Sequence, residues 1–210
     1  MRGRLADVAG IGAGYLIGSV PVGLLLGRGL RGMDVREHGS HSIGTTNVLR
    51  LVGPSAAGAT FGLDVAKGSL AVAAARGLGA DRTGQAAAGL SAMVGHAWPA
   101  FAGFRGGKSV ATGFGGMLMI TPWGSAFAVV GGLATLAATR VVSVASLSAA
   151  GSAALGAALE SQRKRDAVPF AFAALATTLV AARHAGNIRR LLRGEEPRVS
   201  LKRGLKTTAS

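Results

Sequence analysis

The sequence predicts an all-α, polytopic membrane protein of about seven transmembrane helices, joined by short or re-entrant cytoplasmic loops. Three observations carry this. The 210 residues are 49% hydrophobic and only 15% charged, where a soluble domain carries roughly a quarter charged residues. Mean hydropathy is +0.41, and several apolar stretches approach or exceed the roughly 18 residues of a membrane-crossing helix. The 34 glycines suit close packing between helices in lipid, where small residues let backbones approach.

Composition also excludes. There is no cysteine, which removes disulfides and thiolate metal sites. A net charge of +14 would point to nucleic acid in a soluble chain. In a membrane protein it points instead to anionic lipid head groups, the positive-inside bias and an anionic substrate. No nucleic-acid partner, metal or cofactor is expected.

In chain order, the first span covers roughly Leu5 to Leu26 and is kept as a span rather than a signal peptide, because no cleavage site is evident. Gly18-Ser19-Val20-Pro21-Val22-Gly23 implies a kink or unwound turn within it. Arg28 to Arg50 form a charged loop. The second span, Ser55 to Ala75, carries Asp64 and Lys67 at i, i+3 on one face. These form either a structural ion pair or a functional polar site. The third span, Gly84 to Phe104, holds His96, an interfacial Trp98 and a helix-ending Pro99. Residues 110–139 are apolar and broken at Thr121-Pro122-Trp123, which favours two short helices over one long one. Spans from Val144 to Leu159 and from Ala167 to Ala182 follow, separated by a charged loop at 160–166. Residues 1–198 form one integral-membrane domain in this reading, and 199–210 a basic, disordered tail.

Two clusters stand out between the spans. Gly39-Ser40-His41-Ser42-Ile43-Gly44-Thr45-Thr46-Asn47-Val48-Leu49-Arg50 is the longest run of small polar residues in the chain. Its glycines, hydroxyls, amide and terminal guanidinium are the parts of an anion cradle. Its plain alternative is a flexible polar loop with a helix after it. Phe104-Arg105-Gly106-Gly107-Lys108-Ser109 resembles the end of a nucleotide-binding P-loop, but Ala102 stands where the first glycine is required. The local chemistry survives as flexible backbone N–H groups and an ammonium at a helix start. With seven crossings, Arg28, Arg31, Arg36, Arg50, Arg105, Lys108, Arg140 and the tail fall inside, against Arg2, Arg4, Arg76, Arg82 and Arg163 to Arg165 outside. Both clusters and the tail then share the cytoplasmic face. Together they offer many donors and few bases, a composition that binds phosphate or stabilises developing negative charge.

These clusters resemble those of the PlsY family, the bacterial integral-membrane acyl-phosphate:glycerol-3-phosphate acyltransferases. The family pattern G-S-x-N-x-G-A-T-N-V-x-R is matched by Gly39 to Arg50, G-H-x-x-P-x-F-x-x-F-x-G-G-K-G-V-A-T by Gly95 to Thr112, and H-x-x-N-I-x-R-L-x-x-G-x-E by His184 to Glu196. The resemblance implies transfer of a fatty acyl group from acyl-phosphate to the 1-hydroxyl of sn-glycerol 3-phosphate, giving lysophosphatidic acid and phosphate, at the bacterial plasma membrane. It implies no metal or cofactor and no residue acting as general base. It places Ser40, Ser42, Thr46, Asn47, Arg50, Gly106, Gly107, Lys108, Ser143, His184 and Asn187 around the substrates, with Ser146 able to take the place of Ser143. Arg50 and Lys108 would stabilise phosphate charge, and His96, Asp64 and Lys67 would support the site.

The chain departs from the pattern at four positions. Ser42 replaces an asparagine, Thr45 an alanine, Ser109 a glycine, and His41 a small residue. The alternative reading is therefore a diverged, non-catalytic lipid- or anion-binding membrane protein, or a small anion carrier.

Overall fold

The computed structural model describes residues 2–199, and the described part is built from ten α-helices and two short 3-10 turns. In order these are α1 (Arg2–Gly18), α2 (Val22–Arg31), α3 (Thr45–Leu51), α4 (Pro54–Gly77), α5 (Arg82–Ala97), α6 (Val110–Ile120), α7 (Pro122–Thr139), α8 (Val142–Lys164), α9 (Val168–Arg183) and α10 (Ala185–Leu192). Three segments are long and apolar enough to cross a membrane: Gly3–Arg31, Pro122–Thr139 and Val142–Lys164. A fourth is added if α9 and α10, bent by 61° at their junction, count as one broken span. The seven spans expected from sequence correspond in position to α1 and α4–α9. α4, at 24 residues, is long enough at 1.5 Å per residue, but glycines, Asp64 and Lys67 dilute its apolar character.

The breaks fall where the chain's chemistry demands them. Pro21 lacks an N–H, and α1 gives way to α2 across Ser19-Val20-Pro21. The carbonyl of Val20 left by this break accepts a hydrogen bond from Lys67 Nζ at 3.1 Å. Lys67 in turn pairs with Asp64 at 2.9 Å, both buried. Of the two roles open for this pair, the geometry fits the structural one: it fastens α4 to an unwound turn. Residues 110–139 form two helices meeting at Thr121, whose hydroxyl accepts the Gly124 N–H at 3.1 Å and so caps α7. Glu160 completes that cap, accepting from Thr121 Oγ1 at 2.8 Å and Trp123 N–H at 3.1 Å. Glu160 is therefore a buried residue of α8, not the start of a charged loop. α5 stops at Ala97, seven residues short of the expected Phe104, because Pro99 follows.

α5 touches α1, α4, α6 and α9, and α4 touches α1, α2, α3, α5 and α6, while α7 and α8 pair at the side. Close approach rests on small residues. A Cβ on Gly14 or Gly18 of α1 would collide with the backbone of Ala88 or Ala92 of α5. Phe172 is the largest fully buried side chain and anchors a core of Val72, Met93, Met117, Ile120 and Ala150. A second core of Leu24, Val35, Ile43, Val48 and Val52 lies under the loops between α2 and α4. The polar loop at 32–44 is thus held by an apolar floor. Val199 N–H donates to Arg140 O at 2.7 Å, which ties the chain after α10 to the junction of α7 and α8. The disordered tail expected from 199 onward therefore does not begin at Val199, which is tied down by this hydrogen bond; the rest of that stretch, 200–210, lies outside the described residues.

Candidate active site

Asn47 organises the first cluster from inside. Its Nδ2 donates to the carbonyls of Val35 at 2.7 Å, Ser42 at 2.8 Å and His38 at 3.2 Å, while its Oδ1 accepts Ser40 N–H at 2.9 Å. With 1% exposure and every donor committed, this amide shapes the cradle rather than offering itself to a ligand. Ser42 Oγ accepts Gly44 N–H at 3.2 Å, fixing the turn that enters α3. Ser40 is exposed and Thr46 half-buried. Arg50 is exposed at the end of α3. Asp34 ties the same loop down. It accepts from Arg36 Nη2 at 2.7 Å and from Arg28 at 3.1 Å, and Arg36 Nη1 donates to Ala102 O at 2.6 Å. The segments that lead into the two clusters are therefore hydrogen-bonded to each other.

The second cluster is built on His96. Gly106 and Gly107 lie so close to it that a Cβ on either would meet the His96 carbonyl or its Nε2. Gly107 N–H also donates to His96 O at 3.0 Å. His96 Nδ1 faces Asp64 Oδ1 at 3.6 Å, too long for a direct hydrogen bond. The histidine packs under the loop, and Asp64 stands behind it. Arg183 Nε donates to Gly107 O at 3.0 Å, and its guanidinium lies 5.1 Å from the Trp98 ring centre.

Lys108 leaves this loop toward the C-terminal segment, where its Nζ donates to Asn187 Oδ1. Asn187 Nδ2 donates onward to Glu196 Oε1, and Arg190 Nε donates to Glu196 Oε2 at 2.7 Å. Burial lowers Lys108 to about 8. Glu196 opposes that fall, and Arg190, Arg50 and Arg183 add to it. Burial raises the Glu196 carboxyl, but hydrogen bonding from Asn187 and Arg190, with the Ser143 hydroxyl nearby, outweighs it and holds the group below its usual value. Ser143 lies beside that carboxylate without the geometry of a full hydrogen bond, so its buried Oγ has no partner of its own. Ser146 is half-buried and lines the apolar groove described next, so Ser143 is the better placed of the two. His184 is buried and sits within the field of Lys108. Its Nδ1 lies 2.8 Å from Val180 O, a contact that puts the proton on Nδ1 and leaves Nε2 as an acceptor.

An apolar groove of about 440 Å³ lies between α6, α7, α8 and α9, lined in part by close sequence neighbours of Lys108 and Ser143, a volume typical of small-molecule sites. Val110 and Ala111, just after Lys108, begin it on one side, and Val142 and Ala145, flanking Ser143, on the other. Met117, Ala128 and Ala150 lie at the end remote from Lys108.

Sequence reasoning passed over Arg183, Arg190 and Glu196 as site residues. Glu196 was visible as an acid in a basic stretch, but its proximity to Lys108 depends on chain reversal after Gly194, whose φ of 71° suits glycine. Two of the four departures from the family pattern also find their reason in the backbone. His41 and Ser109 both adopt left-handed conformations, with φ of 53° and 61°, where a small residue or glycine is the easy choice. Ser109 is compensated by a buried hydrogen bond from its Oγ to Met93 O at 2.6 Å. His41 Nδ1 lies 3.0 Å from Arg36 O.

An all-helical integral-membrane chain with cationic donors and an apolar groove defines a class that acts on amphiphiles bearing anionic heads. A family profile described as glycerol-3-phosphate acyltransferase matches residues 8–194. The chain is 42% identical to a glycerol-3-phosphate acyltransferase of Synechococcus sp. (strain CC9902), over 94% of this chain and 98% of that one. It is 41% identical to one of Desulforudis audaxviator (strain MP104C), over 95% and 98%. Among solved structures it resembles the glycerol 3-phosphate form of PlsY, an integral-membrane glycerol 3-phosphate acyltransferase, with TM-score 0.85 and 33% identity, covering 92% of this chain and 96% of that one. The lysophosphatidic acid form of PlsY matches with TM-score 0.83 and 32% identity, covering 92% and 95%. The chain belongs to the glycerol-3-phosphate acyltransferase family.

Proposed function

We propose that this site moves a fatty acyl group from an acyl-phosphate to the 1-hydroxyl of sn-glycerol 3-phosphate, releasing lysophosphatidic acid and phosphate. The observation that carries the reading is one of adjacency. Lys108, Ser143 and Asn187 gather around Glu196, and the apolar groove begins at Val110 and Val142, two residues from Lys108 and next to Ser143 in the chain. An acyl-phosphate has that same division, an anionic head on a hydrocarbon chain. The acyl chain lies along the groove and both phosphates sit among Arg50, Lys108 and the loop at 106–108.

The chemistry needs little from the protein beyond placement and charge. The glycerol hydroxyl oxygen attacks the acyl carbonyl carbon, forming the ester C–O bond. The bond from that carbon to the phosphate oxygen breaks, and its electron pair leaves with phosphate. The hydroxyl proton passes to the departing phosphate, so no side-chain base is required. Lys108 and Arg50 stabilise the charge that collects on the leaving group, and the bare Nε2 of His184 can accept a hydrogen bond from a substrate hydroxyl.

In the same reading the protein lies in the bacterial plasma membrane and the site faces the cytoplasm. The sequence distribution of Arg28, Arg31, Arg36, Arg50, Arg105, Lys108 and Arg140 among inward loops supports that orientation. The test is direct. Purified protein in lipid, given acyl-phosphate and glycerol 3-phosphate, should release phosphate and lysophosphatidic acid in equal amounts. Phosphate without lipid product would assign hydrolysis or another acceptor instead.

A further inference from the structure

The site contains one carboxylate that the acyl-transfer chemistry above does not use. Glu196 lies on the extended segment after α10, its side chain 7% exposed. It is not spent on solvent or on a helix end. One oxygen accepts from Asn187 and the other from Arg190. Asn187 has a single amide, and its two ends face different partners: its oxygen accepts from Lys108 and its nitrogen donates to Glu196. An amide flip would set its NH2 against the ammonium and its oxygen against the carboxylate, two repulsive contacts at once. Glu196 therefore decides which way Asn187 points, and through it where Lys108 is held. The segment that carries it is fixed at both ends, by the Gly194 turn and by Val199 N–H on Arg140 O.

We propose that Glu196 is a positioning residue for acyl transfer: it orients Asn187 so that Lys108 is aimed at the phosphates, and it supplies the negative charge that keeps this half-buried lysine cationic. The inference rests on the reading of Lys108 as a phosphate-holding group. The charges facing Lys108 are Glu196 and Arg190 from the C-terminal segment and α10, Arg50 from α3, and Arg183 from α9, with His184 beside it. All but Glu196 and the neutral His184 are cations, so Glu196 alone of this set favours the protonated lysine. Arg190 does two things. It holds Glu196, and it opposes the charge on Lys108.

That arrangement makes a signed prediction. Glu196→Gln keeps the hydrogen-bond acceptor and loses the charge, so Lys108 should lose its proton at lower pH than in the wild type. Arg190→Gln removes a competing cation and should move it the other way. The lysine is read without substrate by following acetic anhydride labelling of Lys108 against pH by mass spectrometry, on the full chain in lipid. The wild-type midpoint should lie at about 8, with E196Q shifted down by about one unit or more and R190Q shifted up. In parallel, the alkaline limb of kcat/KM for glycerol 3-phosphate should follow the labelling midpoint in each protein. A uniform loss of activity at every pH, with midpoints unmoved, would reduce Glu196 to a structural tie and overturn the inference. If E196Q does not fold, an unmoved or downward midpoint in R190Q overturns it alone. Midpoints that move as expected in a wild type without turnover would keep the electrostatic relation and overturn the acyltransferase reading of the site.

Discussion

Gly107 is pressed against the imidazole of His96, so that a Cβ on the glycine would occupy the space of His96 Nε2. The same glycine donates its N–H to the His96 carbonyl at 3.0 Å. The loop carrying Lys108 is thus moulded on a histidine side chain, and this explains the double glycine as well as any approach of phosphate does. Gly107→Ala should displace Lys108 and lower kcat/KM for glycerol 3-phosphate by at least about tenfold, a loss typical of small misplacements of reacting groups. His96→Ala in the same chain opens the space a methyl needs. The double variant should recover part of that loss, and a steady-state comparison of the two checks it.

Arg50 and Lys108 are supplied by different clusters. Replacing either by alanine should lower turnover by about 10²-fold or more, the scale of losing one electrostatic contact to a developing anion. Arg50 is exposed, so thermal unfolding in detergent should be unchanged for Arg50→Ala. Full activity in both variants would remove the phosphate assignment.

Asn47 behaves differently, because its amide is spent on the protein. Asn47→Ala leaves the carbonyls of Val35, His38 and Ser42 without that donor, and orphaned buried polar groups cost about 1–3 kcal/mol. The variant should melt at lower temperature as well as lose activity. A loss of activity with unchanged melting would mean that the amide contacts substrate directly.

Ser109 tests whether a departure from the family pattern is tolerated. Ser109→Gly removes a left-handed penalty of about 1–2 kcal/mol together with the hydrogen bond to Met93 O, worth about 1 kcal/mol. The two offset, so melting temperature and kcat/KM should both stay close to wild type. A large gain in activity would show that serine impairs the loop.

Several features were legible from residue type alone. Pro21, Pro99 and Pro122 each lack an N–H, and each marks a helix break or boundary seen in the fold. The polar run ending at Arg50 and the Gly106-Gly107-Lys108 loop stood out as polar segments because they interrupt apolar stretches. Glu160 was misread because charge in a row of charges looks like a loop. Its burial follows from the unpaired N–H groups at the start of α7, 37 positions from it in the case of Trp123.

What the sequence determined by itself was the solvent the chain folds in, the places where its helices stop, and the family to which its motifs belong. Those depend on local hydropathy, on proline and on ordered residue types, all properties of short stretches. The tertiary structure decided which groups share a site. Lys108 meets Asn187 across 79 positions and Arg36 reaches Ala102 across 66, and no local periodicity encodes such distances. It also decided roles: Asn47 is turned inward, Lys67 answers the carbonyl left by a broken helix, and Glu196 is carried back to the lysine. The physical reason is common to all three. A polar group buried in a membrane protein must find a partner, and only the packed chain settles which one.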